Sequence, residues 1–129
     1  MAVSPSGLRV FVVDDEFLIA STIAMILRHE GFDATSFSLP LEALRAAQAA
    51  PPDVLISDMV MPLLSGLDLA LQVQQLNPNC KIVLFSGQAT TVNLLKAATP
   101  GARDFEVLVK PVHPADLLRR IQTHLKLAS

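Results

Sequence analysis

Polar side chains able to do chemistry sit directly beside short apolar runs in this chain. Asp14-Asp15-Glu16 follow LRVFVV, Asp58 follows VLIS, Ser86 closes KIVLFS, and Lys110 follows EVLV. Apolar, β-branched runs of this length suit strands buried on both faces. Groups placed at the carboxyl ends of parallel strands gather along one edge of the sheet. Two or three carboxylates forced together there repel and raise one another's pKa, unless a hard divalent cation with oxygen ligands lies among them. Mg²⁺ is the economical occupant. Each residue also has a plainer use: Asp14 or Asp15 as a cap for the next helix, Asp58 as a turn residue before Pro62, Ser86 as another cap, Lys110 as a solvated lysine. Their joint placement at the ends of separate runs favours the chemical reading.

The elements that would bring these groups together alternate in type. Strands are expected over 8–13, 32–37, 54–57, 81–86 and 106–109, the second being the weakest. A helix over 16–30 carries Ile19, Ile23, Ile26 and Leu27 as a stripe facing the sheet, and Gly31 ends it. Ser38 is a candidate N-cap for a helix with Pro40 in its first turn, running to about Ala50 before Pro51 and Pro52. Ser65 can cap a helix with Leu69, Val73 and Leu76 on one face. A short helix is expected over 90–98, and Pro114 opens a last one with Leu117, Leu118, Ile121 and Leu125 inward. Five βα units with right-handed crossovers predict an α/β, flavodoxin-like, doubly wound parallel sheet of strand order 2-1-3-4-5.

Length and composition narrow the function. The chain has 129 residues, 51% of them hydrophobic, enough for one domain with a true core and no room for a second. Residues 8–129 are expected to form that domain and 1–7 a flexible N-terminal tail. A formal charge of −2 offers neither the basic footprint of a nucleic-acid binder nor the basic face of a membrane-surface helix. No signal peptide or membrane-length apolar run is present, which predicts a soluble, cytoplasmic protein. Cys80 stands alone and reads as a small buried hydrophobe. His29, His113 and His124 lack metal-ligand spacing and read as surface or capping residues.

The segments VFVVDDE, VLISDMVMPLLSG, IVLFSG and VLVKP together resemble the receiver domains of two-component response regulators. That family carries an acidic pair after strand one, an Asp after strand three, Ser or Thr after strand four and Lys-Pro after strand five; the likeness runs from about Leu8 to Leu127. The resemblance implies that Asp58 is the phosphoacceptor, that Asp15 binds Mg²⁺ directly and Asp14 through water, and that Asp58 and the Val60 backbone carbonyl complete the ligand set. It implies that Ser86 and Lys110 hold the phosphoryl oxygens. The donor would be a sensor histidine kinase or a phosphotransfer protein, with small acyl phosphates as substitutes. Phosphoryl transfer suits such a site, because its catalysis consists mainly of positioning and charge neutralisation.

Rival classes fit less well. A dinucleotide or P-loop site needs a glycine-rich turn after the first strand, where this chain has DDE. A phosphatase resembling the haloacid dehalogenases would need a second Asp two residues after Asp58, and position 60 is Val. A turnover hydrolase lacks an evident pocket and acid-base residue. A pseudo-receiver, acting as a phosphorylation-independent docking module, gains weight from one substitution: the strand-five aromatic that usually serves as the family's switch is here Val107. Phe105 could substitute if the strand extends that far. The stretch from Ser86 to Lys110 is about two residues longer than usual for the family, which predicts an irregular connection near Gly101 to Phe105. Val60 and Gln88 occupy the variable positions beside the phosphoryl group; an apolar Val60 cannot orient an attacking water, so a long-lived phosphoryl state is expected. Output would pass through the face formed by the fourth helix, fifth strand and fifth helix to an unknown partner protein, through a homodimer or along a relay, with no nucleic acid or membrane contact by this domain. A complete protein of this length would be a single-domain regulator.

Overall fold

The computed structural model describes residues 7–128. Strands β1 (Arg9–Val13), β2 (Asp33–Phe37), β3 (Val54–Asp58), β4 (Lys81–Ser86) and β5 (Glu106–Val109) alternate with helices α1 (Phe17–His29), α2 (Pro40–Ala49), α3 (Gly66–Leu76), α4 (Ala89–Ala98) and α5 (Pro114–Ala128). All paired strands are parallel, in the order β2-β1-β3-β4-β5, as the βα alternation predicts. Because successive strand side chains point to opposite faces, β1 feeds two cores at once. Phe11 and Val13 pack with Ala43 and Ala47 of α2 and with Leu69, Ala70 and Val73 of α3. Val10 and Val12 pack with Ala20, Ala24 and Leu27 of α1 and with Leu117 and Ile121 of α5.

Three local expectations need correction. Of the stripe expected on α1, Leu27 is fully buried and Ile23 is half-buried against the same core, but Ile19 and Ile26 are also only half-buried and the other fully buried residues are Ala20 and Ala24. Small alanines let the helix come close to the sheet, so the larger isoleucines flank the contact line instead of forming it. In α2 the cap is Leu39, not Ser38, and it makes no side-chain capping bond. Pro40 at the helix start has no N–H to satisfy, which lowers the demand for a cap. By contrast, Ser65 does cap α3, its hydroxyl accepting from the Asp68 N–H at 3.1 Å. In that helix Leu69 and Val73 are buried, whereas Leu76 is exposed. Gly31, just beyond α1, has a positive φ of 98°, the left-handed ending expected there.

The connection before β5 is irregular, with turns closed by Ala102 N–H to the Thr99 carbonyl and Phe105 N–H to the Ala102 carbonyl. β5 starts at Glu106, so Phe105 precedes the strand, yet it is 1% exposed and packed in the core on the α2 and α3 side. Val107 is half-buried on that same side. His29 and His113 are exposed, and His113 Nδ1 accepts from the Ala115 N–H at 3.2 Å. Residues 1–6 of the expected tail, and the side chains of His124 and Leu125, lie outside the described residues. Among the described residues no helix is long and apolar enough to cross a membrane.

Cys80 is buried just before β4, and that burial pushes its thiol pKa up to about 12. Almost no thiolate then exists at pH 8, and the thiolate is the reacting species. Iodoacetamide at pH 8 should leave Cys80 unmodified in the native protein and alkylate it fully in denaturant, as read by intact mass; rapid native alkylation would contradict the burial of Cys80.

Candidate functional site

Strand register brings the polar groups together. Val13 pairs with Ser57, so the next residues on those strands, Asp14 and Asp58, leave the sheet side by side. Asp58 in turn pairs with Phe85, which puts Ser86 one step beyond it, and Ser86 pairs with Val109, which puts Lys110 one step further along the edge. Backbone bonds pin these ends: the Met59 N–H donates to the Phe85 carbonyl at 2.9 Å, and the Lys110 N–H to the Ser86 carbonyl at 2.8 Å. Carboxylate oxygens of Asp14, Asp15 and Asp58 consequently lie within 4.8 Å of one another. Lys110 Nζ lies 2.8 Å from Asp58 Oδ1.

The environments of these groups differ. Asp14 and Asp58 are buried and Asp15 is exposed. Burial raises the Asp14 pKa; the Glu16 N–H, donating to Oδ1 at 2.9 Å, pulls it back, and the nearby Asp58 charge pushes it up again, for a net rise. The other oxygen, Asp14 Oδ2, is buried without a hydrogen-bond partner. A buried carboxylate oxygen left unpaired is costly, and a hard cation among the three acids would satisfy it. The donor set therefore fits Mg²⁺. For Lys110, burial pulls the pKa down, but the hydrogen bond and charge of Asp58 outweigh it, so the side chain stays an ammonium.

Ser86 is buried, and its hydroxyl accepts from the Gln88 N–H at 2.9 Å, so the turn-capping use coexists with a place at the site. Asp14 makes a similar local turn to Glu16, whereas the α1 cap, Glu16, makes no side-chain capping bond. Val60 lies just past β3 and is 78% exposed. One residue the sequence reading passed over is Gly66. Its N–H donates to the Met59 carbonyl at 2.8 Å and closes the loop that follows Asp58. A Cβ at position 66 would run into the Asp58 carbonyl oxygen. The signal available in the sequence was a glycine at the first position of a helix, where most residues would serve better.

Comparison with known proteins agrees with this geometry. The profile of the response regulator receiver domain matches residues 10–122. DNA-binding response regulator MtrA of Mycobacterium tuberculosis is 30% identical over 118 residues, covering 92% of this chain and 50% of that protein. Transcriptional regulatory protein CreB of Escherichia coli is 32% identical over 117 residues, covering 91% and 50%. The chain thus spans about half the length of the curated relatives it matches. Among solved structures, a response regulator receiver domain protein from Clostridium thermocellum superposes with a TM-score of 0.80 at 30% identity, covering 94% of this chain and 96% of that one. Chemotaxis response regulator CheY4 of Vibrio cholerae superposes with a TM-score of 0.78 at 28% identity, covering 92% and 98%. With a family match across most of its length, the five-stranded order and the acids gathered at the sheet edge, this chain belongs to the response regulator receiver domain family.

Proposed function

We propose that residues 8–129 act as a phosphorylatable signalling switch in the cytoplasm, with 1–7 as a tail. Asp58 attacks the phosphorus of a phosphohistidine on a sensor kinase or phosphotransfer protein; its oxygen bonds to phosphorus as the nitrogen–phosphorus bond breaks, and the imidazole leaves. Asp14, Asp15, Asp58 and the Val60 carbonyl would hold Mg²⁺, which supplies charge neutralisation on the phosphoryl oxygens. Lys110 and Ser86 hold the remaining oxygens. Lys110 arrives already an ammonium, 2.8 Å from the acceptor oxygen, so its positive charge is in place beside the reacting group.

The observation that carries this reading is the convergence of three carboxylates and one ammonium on a single sheet edge. Incubation with a small acyl phosphate and Mg²⁺ should add one phosphoryl group by intact mass, and a chelator should suppress the gain. Because Val60 offers no group to orient water, the adduct should decay over minutes or longer; a half-life of seconds would refute that part. Output would use the α4, β5 and α5 face, where Leu94, Leu95 and Val109 are exposed, either for a partner protein or for a second copy.

A second reading, the phosphorylation-independent docking module, is favoured by Val107 at the switch position and by Phe105, which is 1% exposed and held in the core. No mass gain in a large excess of acyl phosphate would favour it.

A further inference from the structure

The loop leaving Asp58 holds one residue in a conformation its type resists. Leu63 has a φ of 74°, and the N–H of Leu64 donates to the Pro62 carbonyl at 2.9 Å across it. A three-residue turn with positive φ at its centre is the strained hand of the γ-turn, and a branched side chain adds to the cost, whereas glycine adopts that region freely. Burial does not offset the strain, since Leu63 is 82% exposed. The fold gains nothing evident from leucine at this position. Strain of this kind persists where function requires it.

The position of the loop indicates what that function is. Asp58 is only 6% exposed, so a donor imidazole can reach its carboxylate only if the donor's surface seats on the loop ends around it. Those ends carry Val60, 78% exposed, and Leu63 on the loop after β3, and Phe17 and Leu18, 65% and 75% exposed, at the start of α1. A protein donor covers this rim; a small acyl phosphate does not. We infer that Leu63 is a recognition residue, held out by its strained turn to insert its side chain into an apolar surface of the phosphohistidine-bearing donor protein. The inference rests on the proposed function, because it needs Asp58 to be the acceptor.

Leu63→Gly, Leu63→Ala and Leu63→Met separate the turn from the side chain. The probe is a phosphohistidine protein that transfers to the unaltered chain, selected from a panel of purified sensor kinases and phosphotransfer domains. Transfer from it should fall at least tenfold in the glycine and alanine variants and stay within about twofold in the methionine variant, on the order of the tenfold per 1.4 kcal/mol scale for one lost apolar contact. The glycine variant alone should melt higher, by about 3 °C, as strain relief exceeds the added chain entropy. Labelling by small acyl phosphate should be the same in all. Unchanged protein transfer in the alanine variant overturns the inference, as does acyl phosphate labelling of the unaltered chain with no transfer from any member of the panel. Failure of acyl phosphate to label the unaltered chain overturns the proposed function itself.

Discussion

Asp58→Asn should accept no phosphoryl group from an acyl phosphate, while the domain folds as before. The amide is nearly the same size as the carboxylate, so the buried end of β3 keeps its packing, but it lacks the anionic oxygen that must attack phosphorus. Stability should move little. The substitution weakens the ion pair with Lys110, 2.8 Å away, whose side chain is 35% exposed and so remains partly hydrated. It also removes one of three clustered negative charges, which relieves Asp14. The two effects oppose one another, and in metal-free buffer the net change should stay within about 1 kcal/mol. Mg²⁺ affinity, in contrast, should drop at least about tenfold with one anionic ligand gone. Intact mass after acyl phosphate treatment, thermal melting and a Mg²⁺ titration check the three parts. A labelled Asp58→Asn protein would move the acceptor elsewhere and end the assignment.

How far the sequence foretold this site depends on what kind of signal each residue leaves. Strand identity and order were readable because buried parallel strands are near-continuous apolar runs, and the register then follows from pairing those runs. The ends of the strands place Asp14, Asp58, Ser86 and Lys110 with no further information. Contact faces made by small residues were less readable: hydrophobic periodicity points to Ile19, Ile23, Ile26 and Leu27, of which only Leu27 is fully buried, while closeness of approach adds Ala20 and Ala24. Whether Phe105 belongs to β5 depended on the irregular turns before the strand, which apolar pattern does not encode. The unpaired Asp14 Oδ2 and the positive φ of Leu63 are consequences of three-dimensional packing and backbone geometry that residue type alone does not announce.

Gly66→Ala should be among the most damaging single substitutions outside the charged groups. On helix propensity alone it would help by about 1 kcal/mol, since alanine is favoured over glycine in a helix interior, and at a first helical position the benefit is smaller. Against that stands a backbone collision: the new Cβ meets the carbonyl oxygen and carbon of Asp58 and the Met59 Cα, none of which can rotate aside. Either α3 shifts away, loosening the buried contacts of Leu67, Leu69 and Ala70, or the end of β3 moves and carries the Asp58 carboxylate with it. Overpacking of this sort costs about 3 kcal/mol, well above the propensity gain, and would lower the melting temperature by on the order of 10 °C. Phosphorylation by acyl phosphate should fall along with stability, because the displaced atoms belong to the acceptor residue's own backbone. Gly87→Ala provides the control: it lies just beyond Ser86 on the same edge, yet an added Cβ there meets nothing within 4 Å, so its melting temperature should match that of the unaltered protein. Equal melting temperatures for Gly66→Ala and Gly87→Ala would mean that α3 does not press on Asp58 in the way this structure has it.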